Sequence, residues 1–247
     1  MGFGIAQIED RYFQNNVIDF DKDKYDKSGY RLFGGSVSFN GSTLNSRQFP
    51  IQGAREALVA QIFTGNESFR PGVNSENKKP VKEKHSWLQL SYMKEKYHKM
   101  GANWILGWYL DAVYASKNFS ENYTATMMQA SEFAPTAHSK LTYNEAFRAN
   151  QYVAAGIRPI YRLNQMFHVR GEFYGFLPIF PIERNSINKA YYGKAFSRFE
   201  YLGEISVVCQ LPFGAISAYV NHYSSPRREW NVGLTLGWQL FNYRFIE

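Results

Sequence analysis

The chain has 247 residues, a formal charge of +7 and a pI of about 9.3. Apolar residues make up 45% of it and aromatics 17%, and the mean hydropathy is −0.42. No stretch approaches the roughly 18–20 consecutive apolar residues of a membrane helix, which excludes helical spans; a membrane barrel, whose strands alternate, keeps its mean hydropathy low and is not excluded.

The opening residues, Met1–Phe13, lack the basic region and apolar run of a secretory signal. For an exported chain, the signal is expected to have been cleaved or to lie upstream. From Tyr30 on, period-two segments follow one another, each with one large apolar face and one small or polar face. YRLFGGSVSFNG (30–41) aligns Phe33, Val37 and Phe39, and EALVAQIFTG (56–65) aligns Leu58, Ala60 and Ile62. SWLQLSYMKEKY (86–97) aligns Leu88, Leu90 and Tyr92. NWILGWYLDAVY (103–114) aligns Trp104, Leu106, Trp108, Leu110, Ala112 and Tyr114. YVAAGIRPIYRL (152–163), MFHVRGEFYGFLP (166–178) and EISVVCQLPF (204–213) behave in the same way. ISAYVNHYSS (216–225) is weaker, and WNVGLTLGWQLF (230–241) is the cleanest. That is about nine clear strands and one or two doubtful ones, separated by Gly/Asn/Pro turn signals. Two irregular polar stretches, Lys117–Asn150 and 178–196, read as long loops.

The small faces carry the charge. Arg158 and Arg162 share one, and His168, Arg170 and Glu172 share the next. A barrel would turn these into a wet lumen, whereas a soluble sandwich would leave them in water. Trp104, Trp108, Trp230 and Trp238 all stand on large faces. There they fit an aromatic girdle at a bilayer interface; in a soluble β fold they would fill the core. The basic residues are scattered beside strands, and no nucleic-acid motif appears, so no nucleic-acid partner is expected. Cys209 is the only cysteine, and no Cys/His group has ligand spacing along the chain. No metal or cofactor is expected.

Asn231, Gly233, Leu236 and Trp238 fit polar-x-Gly-x-x-hydrophobic-x-hydrophobic in the last strand. This resembles the signal strand by which the barrel assembly machinery recognises outer-membrane proteins. The segments 42–65, 133–161, 167–179 and 212–247, with TLNSRQFP-x-x-G and FRANQYVAAG as their most particular pieces, together resemble the C-terminal barrel of patatin-like phospholipases. That barrel is akin to the bacterial surface antigen barrels of the outer-membrane assembly superfamily. The resemblance implies an all-β fold, an antiparallel transmembrane β-barrel in the bacterial outer membrane. Such barrels have about sixteen strands, and this chain supplies about ten to twelve of them. Residues 1–247 read as one barrel domain: a barrel truncated at its N-terminus, a fragment, or a smaller relative.

A patatin-like lipase needs a Gly-x-Ser-x-Gly elbow, and none is present. Any hydrolase chemistry would belong to a domain outside this chain, so the chain itself is not expected to be an enzyme. His222 and Ser224, two apart, are the one nucleophile–base pairing on a strand, and they read as a solvated strand end. The preferred reading is a barrel that anchors or exports a hydrolase domain. It has outer-membrane lipids and the assembly machinery as partners. A stand-alone pore and a soluble β-rich binding protein are the alternatives.

Overall fold

A computed structural model describes residues 1–13, 25–72, 75, 79–225 and 230–238. The fold is all-β. Seven strands lead the chain: β1 (Gly2–Tyr12), β2 (Asp26–Ser42), β3 (Gly53–Arg70), β4 (Val81–Lys99), β5 (Trp104–Ala115), β6 (Gln151–Arg162) and β7 (Phe167–Pro178). A small hairpin, β8 (Ile182–Arg184) with β9 (Ala190–Tyr192), interrupts them. Then come β10 (Glu200–Leu211), β11 (Gly214–Tyr223) and β12 (Trp230–Trp238). Ten strands form one antiparallel sheet in the order β1-β2-β3-β4-β5-β6-β7-β10-β11-β12, a plain meander. Among the described residues no pairing joins β1 to β12, so the sheet is not seen to close.

Three expectations need correction. β1 was not foreseen, because its apolar alternation covers only Phe3 and Ile5 before charges begin. The stretch Lys117–Asn150 is not wholly irregular: it holds a short helix, α1 (Tyr123–Gln129), and a 3-10 turn at Glu145–Phe147. Asn122 caps α1 by accepting from the Ala125 N–H at 2.9 Å. The 178–196 stretch contains the β8–β9 hairpin.

The connections are unequal at the two ends of the sheet. At one end lie 43–52, 100–103, 163–166 and 212–213, mostly tight turns. At the other lie 71–80, 116–150 and 179–199. The two longest connections, 116–150 and 179–199, lie at this second, long-loop end.

The burial pattern runs opposite to that of a soluble sheet. The large apolar faces point out: Phe33, Ile62, Ile157, Ile205, Val232 and Leu234 are all exposed, the last two at 79%. The opposite faces point in, and they are covered: Arg170 is 2% exposed and Glu172 6%, with rings such as Tyr30, Trp87, Tyr152 and Phe176 buried on the same faces. The cover comes from two connections. The segment 43–52 lies against β4, β5 and β6 through Leu44 and Ile51. The segment 116–150 reaches from β1, where Asn122 donates to the Tyr12 hydroxyl at 2.8 Å, to β11, where His138 bonds that of Tyr223 at 2.8 Å. One connection thus touches both flanks of the sheet, so the sheet curls around it.

Candidate functional site

The charged interior is built from alternate positions on three strands. Glu95 and Tyr97 of β4, Arg158 of β6, and Arg170, Glu172 and Tyr174 of β7 all point inward. Two glycines make the room. Gly107 lies in register between Tyr97 and Arg158, and a Cβ there would stand 2.6 Å from the Tyr97 ring. Gly156 faces Tyr174 across the pair, and its Cβ would stand 2.2 Å from that ring. Each missing side chain lets an aromatic ring lie over the backbone.

The result is a closed set of charge-assisted bonds. Arg158 donates to the Tyr174 hydroxyl at 2.7 Å, to the Tyr97 hydroxyl at 2.6 Å and to Glu95. Arg170 donates to Tyr97 at 2.9 Å and to Glu172. Tyr174 donates to Glu172, and Tyr97 to Glu95 at 3.1 Å. Arg158 also lies over the Tyr109 ring, 4.7 Å from its centre. Two arginines are matched by two glutamates, so no net charge is buried here.

The last Arg170 bond goes to the Pro50 carbonyl at 2.8 Å. Pro50 lies in TLNSRQFP-x-x-G, which folds back into the sheet. Asn45 holds that turn by accepting from the N–H groups of Ile51 and Gln52, both at 3.0 Å. Gly53 ends it at φ +93°, where a Cβ would lie 2.1 Å from the Thr43 carbonyl oxygen.

Above the charged set is an aromatic one. Phe133, from the 116–150 connection, stacks on Phe176 at 5.7 Å and meets Tyr152 and Tyr174 edge-on. Phe147 and Ala149, from FRANQYVAAG, complete this cluster. A cavity of about 830 Å³ remains, lined in part by Arg47, Arg55, Lys140, Glu204 and Thr235.

A third cluster occupies the long-loop end. Glu67 accepts from His85 at 2.8 Å and from Tyr30 at 3.3 Å. Glu83 stands directly across from Glu67 in the β3–β4 register. Donor atoms of Glu67, Glu83 and His85 lie within 4.8 Å of one another. One imidazole and two carboxylates could hold a divalent transition ion. Spacing along the chain hid this group, because its members come from two strands. Lys117 sits close by, 4.7 Å above the Trp87 ring. Burial pushes its ammonium down to about 8, against the pull of Glu67 and Asp10.

Of the four residues assigned to the lumen, three meet in the network. Arg162 does not: it stays at the short-turn end and donates to the Ala102 carbonyl at 3.2 Å. Glu95, Tyr97 and Tyr174 were missed, although each lies on the small face of a segment recognised as a strand. Trp104 is exposed at the short-turn end, its ring 4.9 Å from that of Tyr161. Trp230 is exposed at the long-loop end, 4.9 Å from His222, which stacks on Tyr201 at 6.1 Å. Trp108 is half-buried and stands opposite Ile157 in mid-strand rather than at an end.

On β12, Asn231 donates to Asn221 at 3.2 Å, and Gly233 lies under the Tyr219 ring. Leu236 points outward, 70% exposed. The Trp238 backbone pairs with Gly214, while its side chain lies outside the described residues. Ser224, just past the end of β11, donates to Glu200 rather than to His222. The apolar exterior is interrupted at mid-strand on β4, where the outward Lys94, Lys96 and His98 run beside Leu110, Trp108 and Leu106 of β5.

These features define an all-β chain on one ten-stranded antiparallel sheet, with a network of charges and rings enclosed and a largely apolar outer face that cations interrupt on β2–β4. No family model, no curated protein and no solved structure matches the chain.

Proposed function

We propose that the chain is the barrel domain of an outer-membrane protein, and that it anchors a patatin-like hydrolase domain belonging to the same polypeptide. One observation carries the membrane part of this reading: the inversion of burial, with large apolar residues exposed on all ten long strands. Soluble monomers rarely expose contiguous apolar patches above a few hundred Å². The dimensions agree. Trp104 and Tyr114, both outward, are ten residue steps apart on β5. At about 3.3 Å per residue and a tilt of ~40°, this gives about 25 Å, the height of a barrel's apolar band. The long-loop end would then face outside and the short-turn end the periplasm. The hydrolase part rests on the resemblance alone, and predicts a Gly-x-Ser-x-Gly domain upstream in the same reading frame.

The filled interior favours an anchor over an open pore. Single-channel recordings in planar bilayers separate the two. The intact chain should show little conductance. Replacing 118–147 with a short Gly-Ser linker should open steady channels, and Phe133→Ala should give flickering ones. Large steady conductance from the unaltered chain would favour the pore.

A further inference from the structure

The outer face of β1–β4 changes character at one row. The register places Phe3, Gly35, Ile62 and Leu88 side by side, and next to them Ile5, Phe33, Thr64 and Ser86. The following row toward the long-loop end is Gln7, Arg31, Asn66 and Lys84. After it come Glu9, Gly29, Ser68 and Lys82, and then Arg11, Lys27 and Arg70. All of these residues stand on the same outward face, because they alternate with the buried Tyr30, Glu67 and His85.

Two grooves follow these rows. The upper one, about 690 Å³, has Gly29 and Ser68 in its floor and Lys27, Arg31, Arg70, Lys82 and Lys84 around it. The lower one, about 490 Å³, is lined by Phe3, Phe33, Ile62 and Leu88. Glu9 pairs with both Lys27 and Arg11, offsetting one of their two charges. Arg31, Arg70, Lys82 and Lys84 have no ion-pair partner among the described residues. Neighbouring strands lie about 4.8 Å apart and successive rows about 7 Å apart. Long side chains at that spacing can converge on one doubly charged group.

We propose that this face binds a phosphorylated, multiply acylated lipid of the leaflet at the long-loop end. Its phosphates would sit among Arg31, Arg70, Lys82 and Lys84, with an acyl chain in the groove between Phe33 and Leu88. The inference rests on the membrane reading above. Charge complementarity selects the headgroup, since guanidinium and ammonium groups favour phosphate oxygens. The apolar groove directly beneath selects a lipid over a free phosphate. Gly29 and Ser68 keep the floor low, so that the headgroup reaches the backbone between the cations.

The full chain, folded in detergent, is tested by native mass spectrometry against three lipids. These are diphosphoryl lipid A, its dephosphorylated form and phosphatidylethanolamine; inorganic phosphate serves as competitor. The diphosphoryl form should bind at least tenfold more tightly than either other lipid, and millimolar phosphate should displace little of it. The variant Arg31→Gln/Arg70→Gln/Lys82→Gln/Lys84→Gln should lose that preference while keeping its heat-modifiable gel migration. Equal binding of all three lipids by the unaltered chain overturns the proposal without needing the variant. Full displacement by phosphate also overturns it, pointing to a simple anion site. A chain that never enters bilayers removes the membrane reading and this one together. One that inserts without discriminating removes this one alone.

Discussion

Leu234→Arg should lower the stability of the bilayer-inserted protein by roughly 2–4 kcal/mol, the cost of a cation near the midplane of a barrel's lipid face. Leu234 lies at the centre of β12, opposite Ala218, with its side chain 79% exposed. The burial pattern makes this test sharp. In water, an arginine at so exposed a site costs almost nothing and raises solubility. In lipid, the same change places a charge among acyl chains. Trp230→Arg, at the strand end, should cost only about 0–1 kcal/mol, since the cost falls toward the interface. Leu236→Lys adds the assembly question, because it alters a position of the signal pattern, and it should block insertion in cells. Urea titration of protein folded in vesicles, followed by heat-modifiable migration, measures the first two. Equal midpoints for Leu234→Arg and Trp230→Arg would mean that this face does not meet lipid.

Glu172→Leu should be the most damaging single change in the interior, at roughly 3–5 kcal/mol, because it strands buried arginine. Glu172 accepts from Arg170 and Tyr174 and lies 3.7 Å from the Arg158 Nε. Removing it leaves Arg170, 2% exposed, with only the Pro50 carbonyl and the Tyr97 hydroxyl. Replacing Arg170 as well, in Arg170→Met/Glu172→Leu, removes the stranded charge. The pair should therefore be less destabilised than Glu172→Leu alone, since an apolar pair of similar volume often matches a buried ion pair. A double-mutant cycle on the urea midpoints reads the coupling. If the two single losses simply add, the network is not a cooperative unit. Because the Pro50 carbonyl is one of the ligands, loss of Arg170 should also loosen the 43–52 turn. Faster proteolysis within that turn in Arg170→Met would register this.

Much of the sheet could be read from period two, because one side of every long strand is covered and the other is not. β12 shows large residues on one parity and small or polar ones on the other; β5, β6, β7 and β10 keep the large outward parity but mix rings and aliphatics, such as Ile105, Tyr152, Phe176 and Leu202, into the covered one. The strength of that signal reflects how different the two environments are. β1 escaped because its alternation is carried by two residues before Glu9, Asp10 and Arg11. The interior network was half legible. Arg158, Arg170 and Glu172 stood out as charges on strands, but their partners did not. Glu95 is one of several charges in MKEKYHK, and only the register against β5 and β6 distinguishes it from its outward neighbours Lys94 and Lys96. Tyr97 and Tyr174 looked like ordinary strand aromatics. Their role depends on Gly107 and Gly156 on adjacent strands, a relation across the sheet that no single segment carries. The Glu67–His85 contact is of the same kind. Period two also hid the content of 116–150, since α1 is too short to show a helical face, and its packing is decided by what encloses it.

The membrane reading turns on whether the apolar exterior requires lipid. The direct measurement is refolding of the urea-denatured chain, with and without phospholipid vesicles. It is followed by circular dichroism, by heat-modifiable migration and by quenching of tryptophan fluorescence with brominated lipids. With vesicles, the chain should gain β structure, migrate faster unboiled than boiled, and have Trp104 and Trp230 quenched most by bromines near the headgroups. Without vesicles, it should aggregate. A monodisperse, folded monomer in plain buffer, its tryptophans untouched by brominated lipid, would contradict the account.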